Sequence, residues 1–313
     1  MADCDDKNST NSALEATFSL FFVYIVLGLL IFFSNFLILS AVLAHKSLRE
    51  RKELVVITGL CLSYSILGFG MFIAGCYRIT LVLTGKTQEL RSRFSCFFAP
   101  HSFFLLNANT VCNLMWFLVA VDRLVMVTVP LWYYGLSHSY GWRLVGGAYF
   151  YTLGQSLVAL GLVSSENSVS VSVMCAAWDA VTTGFWKFQA ALNGFLLQVS
   201  IVLYVLVILI YKRKQSRMIG IEGRAAEIEA ARQKRMTKTM CISCIITFFL
   251  GVLPDTLRVY TYFTHGHFVG YILSVASTLD PCFNFVLFLK RHEDIRNGLM
   301  AFLLCKSLPE EES

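Results

Sequence analysis

Long runs without charge constrain this chain more than any motif does. No Asp, Glu, Lys or Arg occurs in 16–44, 54–77, 94–121, 144–165, 188–211 or 259–279. A helix rising about 1.5 Å per residue needs about 20 apolar residues to cross a hydrocarbon core of about 30 Å, and each of these six runs is longer than that. A seventh run, 239–254, is shorter, but apolar sequence continues through Asp255 to Tyr262. It spans if Asp255 faces the bundle interior. The run 124–142 is also uncharged, yet Pro130, Gly135, Ser137, His138, Ser139 and Gly141 interrupt it, and it reads as a loop. The expected fold is all-α: a seven-transmembrane helix bundle with a short interfacial eighth helix. The spans are placed at about 18–44, 54–78, 97–127, 143–164, 188–212, 237–262 and 267–289. Residues 1–17 form an outer tail, 291–304 an amphipathic helix and 305–313 an inner tail.

Composition supports a lipid-facing surface. The 313 residues are 56% hydrophobic and only 15% charged, with a mean hydropathy of +0.63, which a water-exposed surface would not tolerate. The basic residues set the orientation, because Lys and Arg concentrate on the cytoplasmic side. With the N-terminus outside, 19 fall on inner segments and 7 on outer ones, Arg78 and Arg258 among the latter. The net charge of +6 is therefore a topology signal and not a nucleic-acid footprint. The expected location is the plasma membrane. No basic region precedes a cleavable apolar stretch, so the first span is expected to insert the chain.

The ten cysteines sort by compartment. Cys61, Cys112, Cys241, Cys244 and Cys282 lie in spans and read as small packing residues. Cys241 and Cys244 have metal-pair spacing without a second pair of ligands nearby, so no metal or other cofactor is expected. Cys96 and Cys175 both fall in the oxidising compartment and could bridge, with Cys4 and Cys76 as competitors. Cys305, after the last helix, is a palmitoylation candidate, and Asn8-Ser9-Thr10 fits the glycosylation acceptor pattern on the outer side. After Pro281, the run from Lys290 to Arg296 leads into Leu299, Met300, Phe302, Leu303 and Leu304, which describes a basic amphipathic helix lying on membrane lipid.

The third span ends in Asp122-Arg123-Leu124, followed by Pro130-Leu131-Trp132-Tyr133. An ion pair at the mouth of a transmembrane helix asks for a function. This segment resembles the third-helix signature of rhodopsin-like G-protein-coupled receptors. Asn35, Pro254 and Asp280-Pro281 in the first, sixth and seventh spans strengthen the likeness. The departures are numerous. Asp280-Pro281-Cys282-Phe283-Asn284 ends in Asn284 where the family has Tyr, Tyr64 stands where the second helix carries Asp, and Val252 replaces the sixth-helix aromatic. A pattern so divergent is similar to the nematode serpentine chemoreceptors of the SX class.

The resemblance implies a heterotrimeric G protein as partner. Arg123 would exchange its partner Asp122 when the G protein enters, and Tyr204, eight residues before Lys212, would meet it. Pro130, Asp280, Pro281 and Asn284 complete the coupling set. It also implies a small-molecule or peptide ligand in the outer half of the bundle. Candidates are His101, Ser102, Leu105 and Asn109 on the third helix, Gln189 and Asn193 on the fifth, Asp255 on the sixth, and Tyr271 and Ser274 on the seventh. Asn113 and Trp116 share the inward side of the third helix. Asp255 is the sharpest of these, since a carboxylate near mid-membrane costs about 2.5–3.5 kcal/mol; pairing with Arg258 is its structural alternative. An amine receptor would place its Asp at Leu105 and an opsin its Lys at Ser274, so both readings fail on the residues. A polytopic transporter or channel is the rival class, and it predicts internal repeats and more intramembrane charge. No Ser/Lys pair or metal-spaced cluster supports an intramembrane enzyme.

Overall fold

The computed structural model describes residues 2–137, 139–166, 170–218, 242, 245–254, 256–257, 273, 275–291 and 293–304, with side chains from residue 18 onward save at 134, 214–218 and 291. The long helices are α1 (Ala2–Ala44), α3 (Lys52–Leu83), α5 (Pro100–Thr128), α7 (Ser139–Ser165) and α8 (Thr183–Met218). Short helices α2 (Lys46–Arg49), α4 (Arg93–Phe97) and α6 (Pro130–Gly135) lie between them, and α9 (Leu279–Arg291) and α10 (Glu293–Leu303) close the described chain. Strands β1 (Leu90–Ser92) and β2 (Ser170–Ser172) pair antiparallel. The described residues are all-α apart from this ribbon. Phe18–Ala44, Lys52–Leu83, Pro100–Thr128 and Thr183–Arg213 are each long and apolar enough to cross a membrane. Of the sixth and seventh predicted spans, the described parts hold a π-helical turn at Phe248–Val252 and helix α9.

The helices pack in the order α1, α3, α5, α8, with α7 lying against α3 and α5. Lipid gives helices no hydrophobic reason to associate, so close backbone packing has to hold them. The α1–α3 contact shows how this is done. A Cβ added at Gly68 would lie 2.5 Å from the Phe32 nitrogen and 2.6 Å from the Gly28 oxygen, and one at Gly75 would lie 2.9 Å from the Phe21 oxygen. Ile31, Ile57, Leu60, Met71 and Met115 fill the seam between α1, α3 and α5. The opposite face of α7 exposes Phe150, Leu153 and Leu157, as a lipid-facing helix should.

Two segments differ from their reading in the sequence. The run 124–142 is not a plain loop: α5 continues to Thr128, Val129 leaves the helical region, and Pro130 opens α6. Proline removes a donor that a helix start would leave unused, so it ends one helix and begins the next. The chain beyond it is held by Lys52, whose ammonium donates to the carbonyls of Tyr133 and Leu136 and sits 4.7 Å from the Tyr133 ring centre. The helical backbone of α1 also runs back to Ala2, across the expected tail boundary.

Helix α10 buries Ile295, Leu299 and Ala301 against α1 and α2 and leaves Met300 and Leu303 exposed. Arg51 donates to Asp294 at 2.6 Å, tying the start of α3 to α10. Gly298 admits Leu48 so closely that a Cβ there would lie 2.5 Å from the Leu48 Cδ1.

Substituting Gly68→Val should lower stability by at least about 3 kcal/mol, the upper end for overpacking, since backbone cannot move aside as a side chain can. Gly147→Ala, with open space around its added Cβ, should be neutral or stabilising by up to about 1 kcal/mol through helix propensity. Thermal unfolding of the two variants in detergent compares them directly.

Candidate functional site

One end of the bundle is closed by a lid. Cys96, at the end of α4, forms a disulfide with Cys175, just beyond β2, and both residues are fully buried. The pairing left open among four cysteines is thus settled between these two. The lid segment is then hydrogen-bonded down onto α3 and α5. Tyr77 Oη donates to the Val173 carbonyl at 2.9 Å, Ser102 Oγ donates to the Cys175 carbonyl at 2.9 Å, and His101 Nε2 lies 3.2 Å from that same oxygen. Cys175 has a positive φ of 45°, which residues other than glycine rarely adopt; its disulfide and its doubly engaged carbonyl hold it there. Arg93 pairs with Glu166 beside the ribbon.

Arg78, counted above among outer charges, is buried. Its Nε donates to the Met174 carbonyl at 3.3 Å, and its guanidinium carbon lies 5.7 Å and 5.9 Å from the Phe21 and Tyr24 ring centres. The sequence signal was its position at the very end of an apolar run, where a long cationic side chain can fold back beneath a loop.

Beneath the lid lies a cavity of about 130 Å³ whose described walls include Leu105, Asn109, Asn113 and Trp116 of α5, Trp178 of the lid, and Asp280 of α9. A second cavity of about 280 Å³ shares Asn109, Asn113, Trp186 and Leu197 with the first and extends between α5, α8 and the π-helical turn to Asn193. The buried Asn193 side-chain oxygen makes no hydrogen bond among the described residues. Gln189 lines neither cavity; its amide donates to Thr110 Oγ1 at 2.5 Å and to the Leu106 carbonyl at 3.3 Å, bracing α8 on α5. His101 and Ser102 likewise serve the lid and line neither space. The structure therefore places Leu105 on the first cavity, Asn193 on the second and Asn109 on the wall of both. Asp255, Tyr271, Ser274 and Cys305 lie outside the described residues, as does the side chain of Asn8.

At the inner end of the first cavity four elements meet on one carboxylate. Tyr64 Oη of α3 donates to Asp280 Oδ2 at 3.0 Å, and Thr247 Oγ1, just before the π-helical turn, donates to Asp280 Oδ1 at 2.9 Å. Trp116 Nε1 of α5 in turn donates to Tyr64 Oη at 2.7 Å. Asp280 is 5% exposed, and Asn284, one turn further along α9, is fully buried. In the sequence Tyr64 stands where the second helix carries an acid and Asp280 belongs to a motif, but nothing there pairs the two, and Thr247 carries no signal of its role. Tyr204 of α8 packs edge-on against Trp116, with ring centres 6.3 Å apart.

Further along α5, Asp122 and Arg123 are both buried. Their closest approach is 3.7 Å, from Arg123 Nε to Asp122 Oδ2, an ion contact without a hydrogen bond. Asp122 Oδ2 also accepts from Tyr133 Oη at 3.4 Å, and Arg123 Nη1 lies 3.7 Å from Met126 Sδ. Arg123 Nε and Nη2 and Asp122 Oδ1 have no hydrogen-bond partner among the described residues. The pair is less completely satisfied than the sequence suggested.

The profile of the serpentine type seven-transmembrane G-protein-coupled chemoreceptors named Srsx matches residues 25–302, from within α1 to within α10. The chain belongs to the Srsx chemoreceptor family. No curated protein matches it. Family membership makes this a multi-pass membrane receptor of the chemosensory type, in keeping with its apolar helices.

In this Srsx receptor the Tyr64 hydroxyl both donates to Asp280 and accepts from Trp116. Tyr64→Phe should lower stability by about 1–3 kcal/mol, because it leaves a buried indole N–H and one carboxylate oxygen short of a partner. The fold should survive, with thermal unfolding as the measure.

Proposed function

We propose that this Srsx receptor lies in the plasma membrane with its N-terminus outside, binds an extracellular small molecule or short peptide beneath the disulfide-bonded lid, and activates a heterotrimeric G protein at the opposite end. The observation that carries the reading is the placement of two features on one helix. The first turns of α5 hold the lid and the next turns wall both cavities, while Asp122 and Arg123 near its far end form a buried, incompletely bonded ion pair.

A buried charge pair without its full set of hydrogen bonds is costly to keep. A partner that offers Arg123 backbone carbonyls or a carboxylate terminus gains from that deficit, and this differential interaction favours the state the partner binds. In this reading Tyr204 and Trp116 convey rearrangement of α8 and α5. Pro130 fixes where α5 ends, and Asp280, Pro281 and Asn284 form the hinge side of α9. The ligand contacts are Leu105, Asn109 and Asn193, with Asp255, Tyr271 and Ser274 as further candidates and His101, Ser102 and Gln189 as supports. Asn8 is the proposed glycan site and Cys305 the proposed lipid site.

Arg123→Ala should reduce receptor-driven nucleotide exchange on a reconstituted heterotrimer by at least about tenfold, or 1.4 kcal/mol, while surface expression is retained. Unimpaired exchange by this variant would remove Arg123 from the coupling mechanism.

A further inference from the structure

We infer that the ligand of this receptor is an uncharged small molecule with an N–H or O–H donor, held in the second cavity by the side-chain amides of Asn109, Asn113 and Asn193. The inference rests on the ligand-receptor reading above and names the chemical class of its ligand.

A buried amide in a membrane bundle usually bonds one helix to the next. On α8, Gln189 does so, donating its nitrogen to Thr110 Oγ1 and to the Leu106 carbonyl. Asn193 stands one turn further along the same face. It is 7% exposed, yet its side chain makes no hydrogen bond with a described residue. The same holds for Asn109 and Asn113, one turn apart on α5. Three amides without a protein partner among the described residues thus border one cavity of about 280 Å³. Each carries an acceptor oxygen and two N–H donors, and a half-turn about its terminal torsion presents either to the cavity. A guest that offers both a donor and an acceptor completes them.

The cavity opens on the flank of the bundle. Ala191, Phe195 and Gln198 of α8 and Thr256 beyond the π-helical turn line it and are exposed. Phe195 lies twelve residues into the span Thr183–Arg213, about 18 Å of helix rise, so the mouth lies at the depth of the hydrocarbon core. A full charge is penalised there, and a molecule that dissolves in lipid is not. The walls agree, since no charged side chain is among the described residues that line this cavity; Arg78 and Asp280 line the first cavity instead. The volume falls just short of the roughly 300–1,000 Å³ of drug-sized sites, which suits a small molecule and not a peptide. Trp186 and Phe195 offer aromatic faces to its apolar part.

Gly194 gives a way to close the space without disturbing the fold. It lines the cavity, and a Cβ added there meets nothing within 4 Å. Gly154 of α7 has the same open surroundings and lines neither cavity.

The test uses the purified full chain in phosphatidylcholine nanodiscs and follows thermal unfolding with probes of one skeleton. 3-Phenylpropanamide and 3-phenyl-1-propanol are neutral and carry a donor, N,N-dimethyl-3-phenylpropanamide is neutral without one, and 3-phenylpropionate and 3-phenylpropylammonium are charged. The first two should raise Tm at millimolar concentration, and the other three should not. Asn193→Leu should keep or raise the basal Tm, because it exchanges an unpaired buried amide for an apolar group, and should weaken the apparent affinity for both donor probes at least about tenfold. If that variant does not fold, Gly194→Leu should weaken them as much, whereas Gly154→Leu should leave them within about twofold. No stabilisation by either donor probe overturns the inference. So does equal stabilisation by the dimethylamide or by a charged probe, and so does an affinity that survives Asn193→Leu or Gly194→Leu. Unfolding is read without a G protein, so a failure of nucleotide exchange would reject the coupling reading and leave this site standing, while a Tm shift with a charged probe would reject this ligand class and leave the receptor reading standing.

Discussion

The structure turns on a single buried carboxylate. In lipid there is no water to satisfy Asp280, so the fold must do it, and each unmet polar group costs several kcal/mol. Tyr64 and Thr247 supply hydrogen bonds from α3 and from the segment that begins the π-helical turn, and Trp116 supports Tyr64 from α5. Four separate stretches of chain are thereby brought to one point. The cavity wall, the position of the π-helical turn and the packing of Tyr204 on Trp116 all follow from where these donors have to stand.

Helix α5 connects this junction to both ends of the bundle. Its first turns hold the lid through His101 and Ser102, its middle carries Asn109 and Asn113 on the cavity walls, and its last turns present Asp122 and Arg123. In the proposed function, a helix with cavity contacts at one end and an incompletely bonded ion pair at the other would physically link ligand and partner. The π-helical turn Phe248–Val252 adds a place where the chain can yield. Such turns hold their hydrogen bonds less favourably than an α-helix and recur at functional sites, and here Gly251 lines the first cavity while Val252 lines the second.

The ends of the bundle are secured by different chemistry. At the lid, a disulfide and hydrogen bonds to main-chain carbonyls fix a short segment that has little core of its own. At the Arg123 end, Lys52 gathers the carbonyls after Pro130, and Arg51 pairs with Asp294 of α10. These contacts join segments far apart in the chain, as the hydrogen bonds around Asp280 do in the middle of the bundle.

The charge-free runs by themselves determined that this chain is a helical membrane protein, because span length is a matter of rise per residue and needs no knowledge of neighbours. The Asp122-Arg123 motif and the amphipathic spacing before Leu304 were legible for the same reason: each is a local pattern with a local cost. Proline at 130 was read as a break and not as the start of α6, since a proline at a first helical turn looks the same in sequence as one in a loop. Tertiary structure alone decided the partners. Cys96 and Cys175 are 79 residues apart, Tyr64 and Asp280 are 216 apart, and nothing in either neighbourhood names the other. It also moved Arg78 from an outer charge to a buried wall, and Gln189, His101 and Ser102 from the cavity to its supports. A polar residue on the inward face of a helix can meet a ligand or a neighbouring chain, and only the packed bundle shows which of the two is within hydrogen-bond reach.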